Sequence, residues 1–185
     1  MKTQLRRILP GWALDIYNRL VSRHIIRKRM GAWFDVDWKL RAPQADDREW
    51  VRVYNESWEH WERPDLTPTD LTEIIGLLDD YSSMLDVGCG DGFLLEILRK
   101  HCDRLGGVDI SAKALTSARH RLGAEALLAQ AFAENLPFAD DSFDAVVSTH
   151  TIEHVRDPRA AVAEMLRVAA RRMICLLYTS PSPRD

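Results

Sequence analysis

Leu85-Asp86-Val87-Gly88-Cys89-Gly90-Asp91-Gly92 joins a short apolar run to a glycine loop, and helical spacing begins at Phe93. Glycines let the backbone turn tightly and approach a ligand, and the start of the next helix offers unpaired N–H groups and a positive dipole end. Phe93 stands where the dinucleotide pattern G-x-G-x-x-G needs its third glycine, so that pattern fails. Asp86 and Asp91 would repel a pyrophosphate and suit a ligand with a cationic amine instead. Asp109 lies 17 residues after Gly92, at the end of the next apolar run, where an acidic residue accepts hydrogen bonds from ribose hydroxyls.

Outward from this loop, apolar runs at 83–87, 105–110, 126–131 and 143–149 alternate with helical stretches at 93–101, 112–122 and 158–169. Alternation of this kind predicts an α/β fold: a Rossmann-like, doubly wound, mainly parallel sheet with right-handed crossovers. Ligands of such sheets bind beyond the carboxyl ends of the strands, where the strand order reverses. The loop after the first strand is therefore the place to look.

Ahead of residue 81 the pattern is helical throughout, which predicts an N-terminal helical extension to the sheet domain. Residues 1–31 carry eight Lys/Arg against Asp15 alone, and residues 32–80 carry five bases against thirteen acids. Over 12–22, Trp12, Ile16, Tyr17, Leu20 and Val21 share one helical face. The basic amphipathic segment 1–31 reads either as a helix that touches an anionic membrane surface or nucleic acid, or as a helix packed on the domain with a solvated basic end. Asp46 with Glu49 opens a second helix whose Trp50, Tyr54, Trp58 and Trp61 form one stripe, read as core or as the lining of a pocket. Pro64 and Pro68 break it, and Thr67 caps a third helix with Leu71, Ile74, Ile75 and Leu78 on its apolar face. Residues 32–80 read as a helical cap or lid.

At 185 residues with 46% apolar and 29% charged composition, the chain is long and apolar enough for a core without disulfides or a structural metal. Cys89, Cys102 and Cys175 are odd in number and lack C-x-x-C spacing, which points to a reducing compartment. No apolar stretch is long enough to span a bilayer. The expected location is cytoplasmic, with a peripheral membrane contact left open.

Residues 81–174 closely resemble the class I S-adenosylmethionine-dependent methyltransferases of the group with a D-x-G-x-G-x-G loop. The resemblance rests on Asp86 to Gly92, Gly107-Val108-Asp109-Ile110-Ser111, Ala133-Glu134-Asn135-Leu136-Pro137-Phe138, Ser142-Phe143-Asp144 and Glu153-His154-Val155 with Asp157-Pro158, in the family's order. It implies S-adenosyl-L-methionine as cofactor. Asp86 and the loop Gly88, Cys89, Gly90, Asp91 and Gly92 would hold its methionine part, Asp109 the ribose, Ile110 an adenine face, and Ala133 and Glu134 the adenine edge. The family often has an acidic residue before Ala-Glu to bind the adenine amine, and here that position is Phe132.

A sulfonium methyl is already activated, so such a protein mainly aligns the nucleophile and excludes water, with no obligatory metal. His150 and His154 follow the fourth strand and are the candidate bases for a hydroxyl or amine acceptor, with a structural role as the other reading of each. His150-Thr151-Ile152-Glu153-His154 also spells H-x-x-E-H, a zinc-hydrolase signature that requires both histidines on one helical face. A noncatalytic domain that binds S-adenosyl-L-methionine is a further alternative. The expected acceptor is a small molecule or a lipid-linked metabolite, with nucleic acid second; its identity and the atom methylated are not legible.

The segment 175–185, CLLYTSPSPRD, resembles the translation of a transposase adapter used in sequencing libraries. Arg171 to Ile174 begins what should be the fifth strand. The expectation is therefore a methyltransferase domain cut short after Ile174, poorly soluble and inactive in this form because its last strands leave an apolar edge exposed.

Overall fold

The computed structural model describes residues 38–60 and 66–177. The basic segment 1–31, Trp61 and Pro64 of the second helix, and residues 178–185 of the adapter-like segment lie outside the described residues. The chain divides into two compact units, Met1–Ala45 and Asp46–Asp185. The described part of the first is a helical turn, Trp38–Arg41, running into a 3-10 turn, Ala42–Gln44. Arg41 lies with its guanidinium 5.8 Å from the Trp38 ring centroid.

The second unit opens with α1, Asp47–Trp58, capped by Asp46, which accepts the Glu49 N–H at 2.8 Å. A reciprocal capping box between Thr67 and Asp70 starts α2, Pro68–Gly76. Next come β1 (Ser83–Val87), α3 (Phe93–Leu98), β2 (Arg104–Asp109), α4 (Ala112–Leu122), β3 (Ala126–Gln130), β4 (Phe143–Thr149), α5 (Pro158–Val168) and β5 (Ala169–Leu176). All neighbouring strands pair in parallel, in the order β3-β2-β1-β4-β5. The order reverses at β1, which places the glycine loop at the crossover crevice.

Side-chain alternation along β1 and β4 explains the two layers. Met84, Ala145 and Val147 join Leu94, Leu95, Leu98, Leu115 and Ile74 in one apolar cluster. Leu85, Val87 and Val146 join Ala161, Met165 and Val168 of α5 in the other. Every residue of β1 is buried, as expected of a central parallel strand covered on both faces. The doubly wound parallel sheet predicted from the sequence is the fold observed.

Several boundaries differ from expectation, β2 running over Arg104–Asp109 and β3 ending at Gln130 among them. The helix expected over 93–101 ends at Leu98, because Lys100 and His101 donate to the carbonyls three residues back and tighten the last turn. α5 ends at Val168, since Ala169 is already extended (φ −83°, ψ 112°) and opens β5 directly. β5 also runs on to Leu176: Cys175 pairs with Ser148 and Leu176 with Thr149, so the first two residues of the adapter-like segment lie in the sheet. No described helix is long and apolar enough to cross a membrane.

Candidate functional site

The glycine loop is bound to the end of β2 by its own backbone. Gly88 and Cys89 both donate N–H to Val108 O, at 2.7 and 3.0 Å. Gly90 N–H donates to Asp109 Oδ2 at 2.9 Å, and Ser111 N–H donates to Asp109 Oδ1 at 2.7 Å. Asp109 thus holds the loop and the start of α4 together, and each oxygen keeps a lone pair for a ligand hydroxyl. Gly88 sits at φ +83°, and a Cβ there would fall 2.0 Å from Thr151 Oγ1. Glycine is required at this position by conformation and by space alike.

Beneath the loop, Asp86 is buried and its Oδ1 has no hydrogen-bond partner among the described residues. Burial, reinforced by the Asp109 charge, pushes the Asp86 carboxyl up to about 8. Burial also raises Asp109 above the usual carboxylate range, against the pull of the Ser111 and Gly90 N–H groups. Cys89 is buried, and a Cβ on Gly107 would lie 2.9 Å from its sulfur. Its thiol is held neutral, first by burial and then by the Asp109 charge, so Cys89 serves the site through its backbone.

Two carboxylates expected at the ligand are engaged elsewhere. Asp91 pairs with Arg121, which also donates to Asp91 O and to Glu96, and Asp91 Oδ1 accepts Phe93 N–H at 3.1 Å. Glu134 Oε1 accepts the N–H groups of Arg156 and Asp157, at 2.7 and 3.0 Å, and so shapes the turn before α5. Ala133 is buried. Ile110 follows β2 and its carbonyl accepts the Gln130 side-chain amide at 2.9 Å.

The opposite wall is α1 with the loop after β4. Trp58 lies against the glycine loop: a Cβ on Gly90 would meet its ring at 3.0 Å. Asn55 Oδ1 accepts Ser111 Oγ–H at 2.9 Å and Lys113 N–H at 3.3 Å, and Lys113 pairs with Glu59. Tyr54 donates its hydroxyl to His154 O at 2.7 Å. Arg156 inserts its guanidinium between the Trp50 and Phe132 rings, 5.2 and 5.3 Å from their centroids, and bonds Asp47 at 2.9 Å. The aromatic stripe of α1 is therefore partly core, at the buried Trp50, and partly lining, at Trp58.

His150 follows β4 with φ +51°, its Nδ1 4.0 Å from Glu153 Oε1. His154 closes a 3-10 turn, Ile152–His154, and its side chain is exposed. With a strand end and a 3-10 turn in place of a helix, the H-x-x-E-H segment lacks the helical face its zinc reading requires. The fold thus gathers Asp86, Gly88, Gly90, Asp109 and Ile110 around the crevice with the His150–His154 loop beside them, while Asp91 and Glu134 support its rim. Asn55, Thr151 and Arg156 lie at this crevice without being expected there, and Trp58, read as core or pocket lining, lies against the glycine loop. Only Trp58 carried a signal, its place in the stripe.

Residues 85–177 match a family described as a methyltransferase domain. Among curated proteins, the ajmaline N-methyltransferase of Rauvolfia serpentina is 36% identical over 94 residues, covering 48% of this chain and 32% of that protein. A ubiquinone biosynthesis O-methyltransferase of Cupriavidus pinatubonensis is 32% identical over 140 residues, covering 67% of this chain and 55% of the relative. This chain therefore spans from a third to about half the length of these two relatives. Among solved structures, the YcgJ protein of Bacillus subtilis superposes with a TM-score of 0.53 at 26% identity, covering 62% of this chain and 52% of the other.

Proposed function

The chain belongs to the methyltransferase-domain family, and we propose that it binds S-adenosyl-L-methionine and transfers its methyl group to a small-molecule or lipid-linked acceptor. The observation that carries this reading is the pair Asp86 and Asp109 around the glycine loop. A buried carboxyl with an unpartnered oxygen asks for a donor, and a second carboxylate with spare lone pairs stands at the end of the neighbouring strand. The residues fit the cofactor. Asp86 and the backbone of Gly88 to Gly90 would hold its amino-acid end, Asp109 the ribose, and Ile110 with the backbone of Ala133 the base. When bound, it supplies a methyl group already activated by the sulfonium.

The chain's own part is alignment and exclusion of water. Trp58 and Tyr54 of α1 cover the loop ends of β1 and β4 and limit solvent there. His150 stands inside this cover and His154 at its rim, both candidates to take a proton from the acceptor's hydroxyl or amine. The N- and O-methyltransferase names of the relatives support a small-molecule acceptor. Transfer of labelled methyl across a panel of small phenols, amines and quinone precursors tests the reading. His150→Ala or His154→Ala is expected to lower turnover about 100-fold with little change in cofactor affinity. Unchanged turnover in both would assign the histidines to structure. Cofactor binding without transfer to any acceptor would favour the noncatalytic reading.

A further inference from the structure

Asp86 has a feature that holding a ligand's amine does not itself explain: its carboxyl is buried on the central strand, and among the described residues no cation pairs with it. The residue is 1% exposed, lies on the central strand and leaves Oδ1 without a partner among the described residues. From β2 it faces Asp109, a like charge. From the loop come Cys89, kept as a neutral thiol, and Asp91, whose charge is already matched by Arg121. At the end of β4, His150 is drawn toward Glu153. On α1, Asn55 accepts from Ser111 and Lys113, and Tyr54 donates to His154 O. An ionised carboxylate in such a place lacks both solvent and counter-charge, and a protonated one needs neither.

Resting on the proposed cofactor reading, we infer that Asp86 loads the site by proton exchange: its carboxyl is neutral in the ligand-free protein and gives up its proton as the ligand's ammonium group arrives. The balance is simple. The Asp86 O–H bond breaks, the proton passes to solvent, and the remaining carboxylate pairs with the incoming ammonium, so the site's net charge is unchanged by loading. The carboxyl's titration near 8 agrees with this order of events. Affinity then falls about tenfold for each pH unit below that midpoint, because the proton competes with the ligand. Above it, loss of the ligand's own α-amino proton, which titrates near 8 in free amino acids, weakens binding again. The site is selective for a cationic nitrogen and is tuned to the pH at which that nitrogen is still charged.

Calorimetric titration of the whole chain with S-adenosylhomocysteine at pH 7.0, in phosphate and in Tris, reads this directly, because the two buffers differ in ionisation enthalpy. The expected result is release of about one proton per ligand bound. Asp86→Asn should bind more weakly with a release near zero and lose the fall in affinity toward pH 6. Binding of the probe with no proton release in the unmodified chain overturns the inference and leaves the cofactor reading intact. Absence of any binding overturns both. Should the variant fail to fold, the carboxyl-carbon NMR titration of Asp86 in the ligand-free protein decides. A midpoint near 8 supports proton exchange, and a midpoint near 4 overturns it.

Discussion

Along the ends of β1 and β2 the crevice wall is largely backbone: Gly88 and Cys89 donate N–H groups to Val108 O, and Gly90 donates its N–H to the Asp109 carboxylate. Across from it, along α1 and the β4 loop, the wall is side chain: the Trp58 ring, the Tyr54 hydroxyl, the Asn55 amide and Arg156 between two aromatic rings. The first wall closes over short distances in sequence, 19 residues from Gly90 to Asp109. The second joins residues as far apart as Asp47 and Arg156, separated by 109. The backbone wall tolerates little change, because a Cβ added at Gly88 would meet Thr151 and the left-handed backbone there favours glycine. A side-chain wall is a sum of separable contacts, each worth on the order of 1 kcal/mol.

Substituting each wall in turn sharpens the contrast. Gly88→Ala strikes the backbone wall, where the new Cβ would overlap Thr151 and the left-handed conformation would be strained. The expected loss is about 3 kcal/mol or more in folding stability, read from urea denaturation. A loss below ~1 kcal/mol would mean that the wall yields more readily than its geometry implies. Arg156→Ala removes the stacking on Trp50 and Phe132 and the exposed pair with Asp47. It should cost only about 1 kcal/mol and speed amide exchange in α1 while leaving exchange in β1 and β4 unchanged. Uniform acceleration across the sheet would show that the two walls are not independent.

The same contrast decides what was legible beforehand. The parallel sheet, its reversal at β1 and the place of Asp109 follow from period-two apolar runs and a glycine loop, signals that lie within a few residues of what they describe. The bonds that Asp91 and Glu134 make within the protein are not legible, because a carboxylate's position does not say which way its side chain turns. Arg121, 30 residues on, claims the first, and the Arg156 and Asp157 N–H groups claim the second. Arg156 itself carried no signal, since its partners come from three elements that only the folded chain brings together. The end of α5 was misjudged by one residue, because Ala169 suits a helix by propensity and pairing with Phe143 overrides it.

Equilibrium binding of S-adenosylhomocysteine to the unmodified chain and to Asp109→Ala, with NADH as the competing ligand, puts the backbone wall and its carboxylate to the test. The predicted result is a single saturable site that ignores NADH and weakens by roughly 1.5–3 kcal/mol in the variant, the scale for losing hydrogen bonds to a charged group. Equal affinity in the two proteins would contradict the ribose assignment, and binding of NADH without S-adenosylhomocysteine would contradict the proposed cofactor.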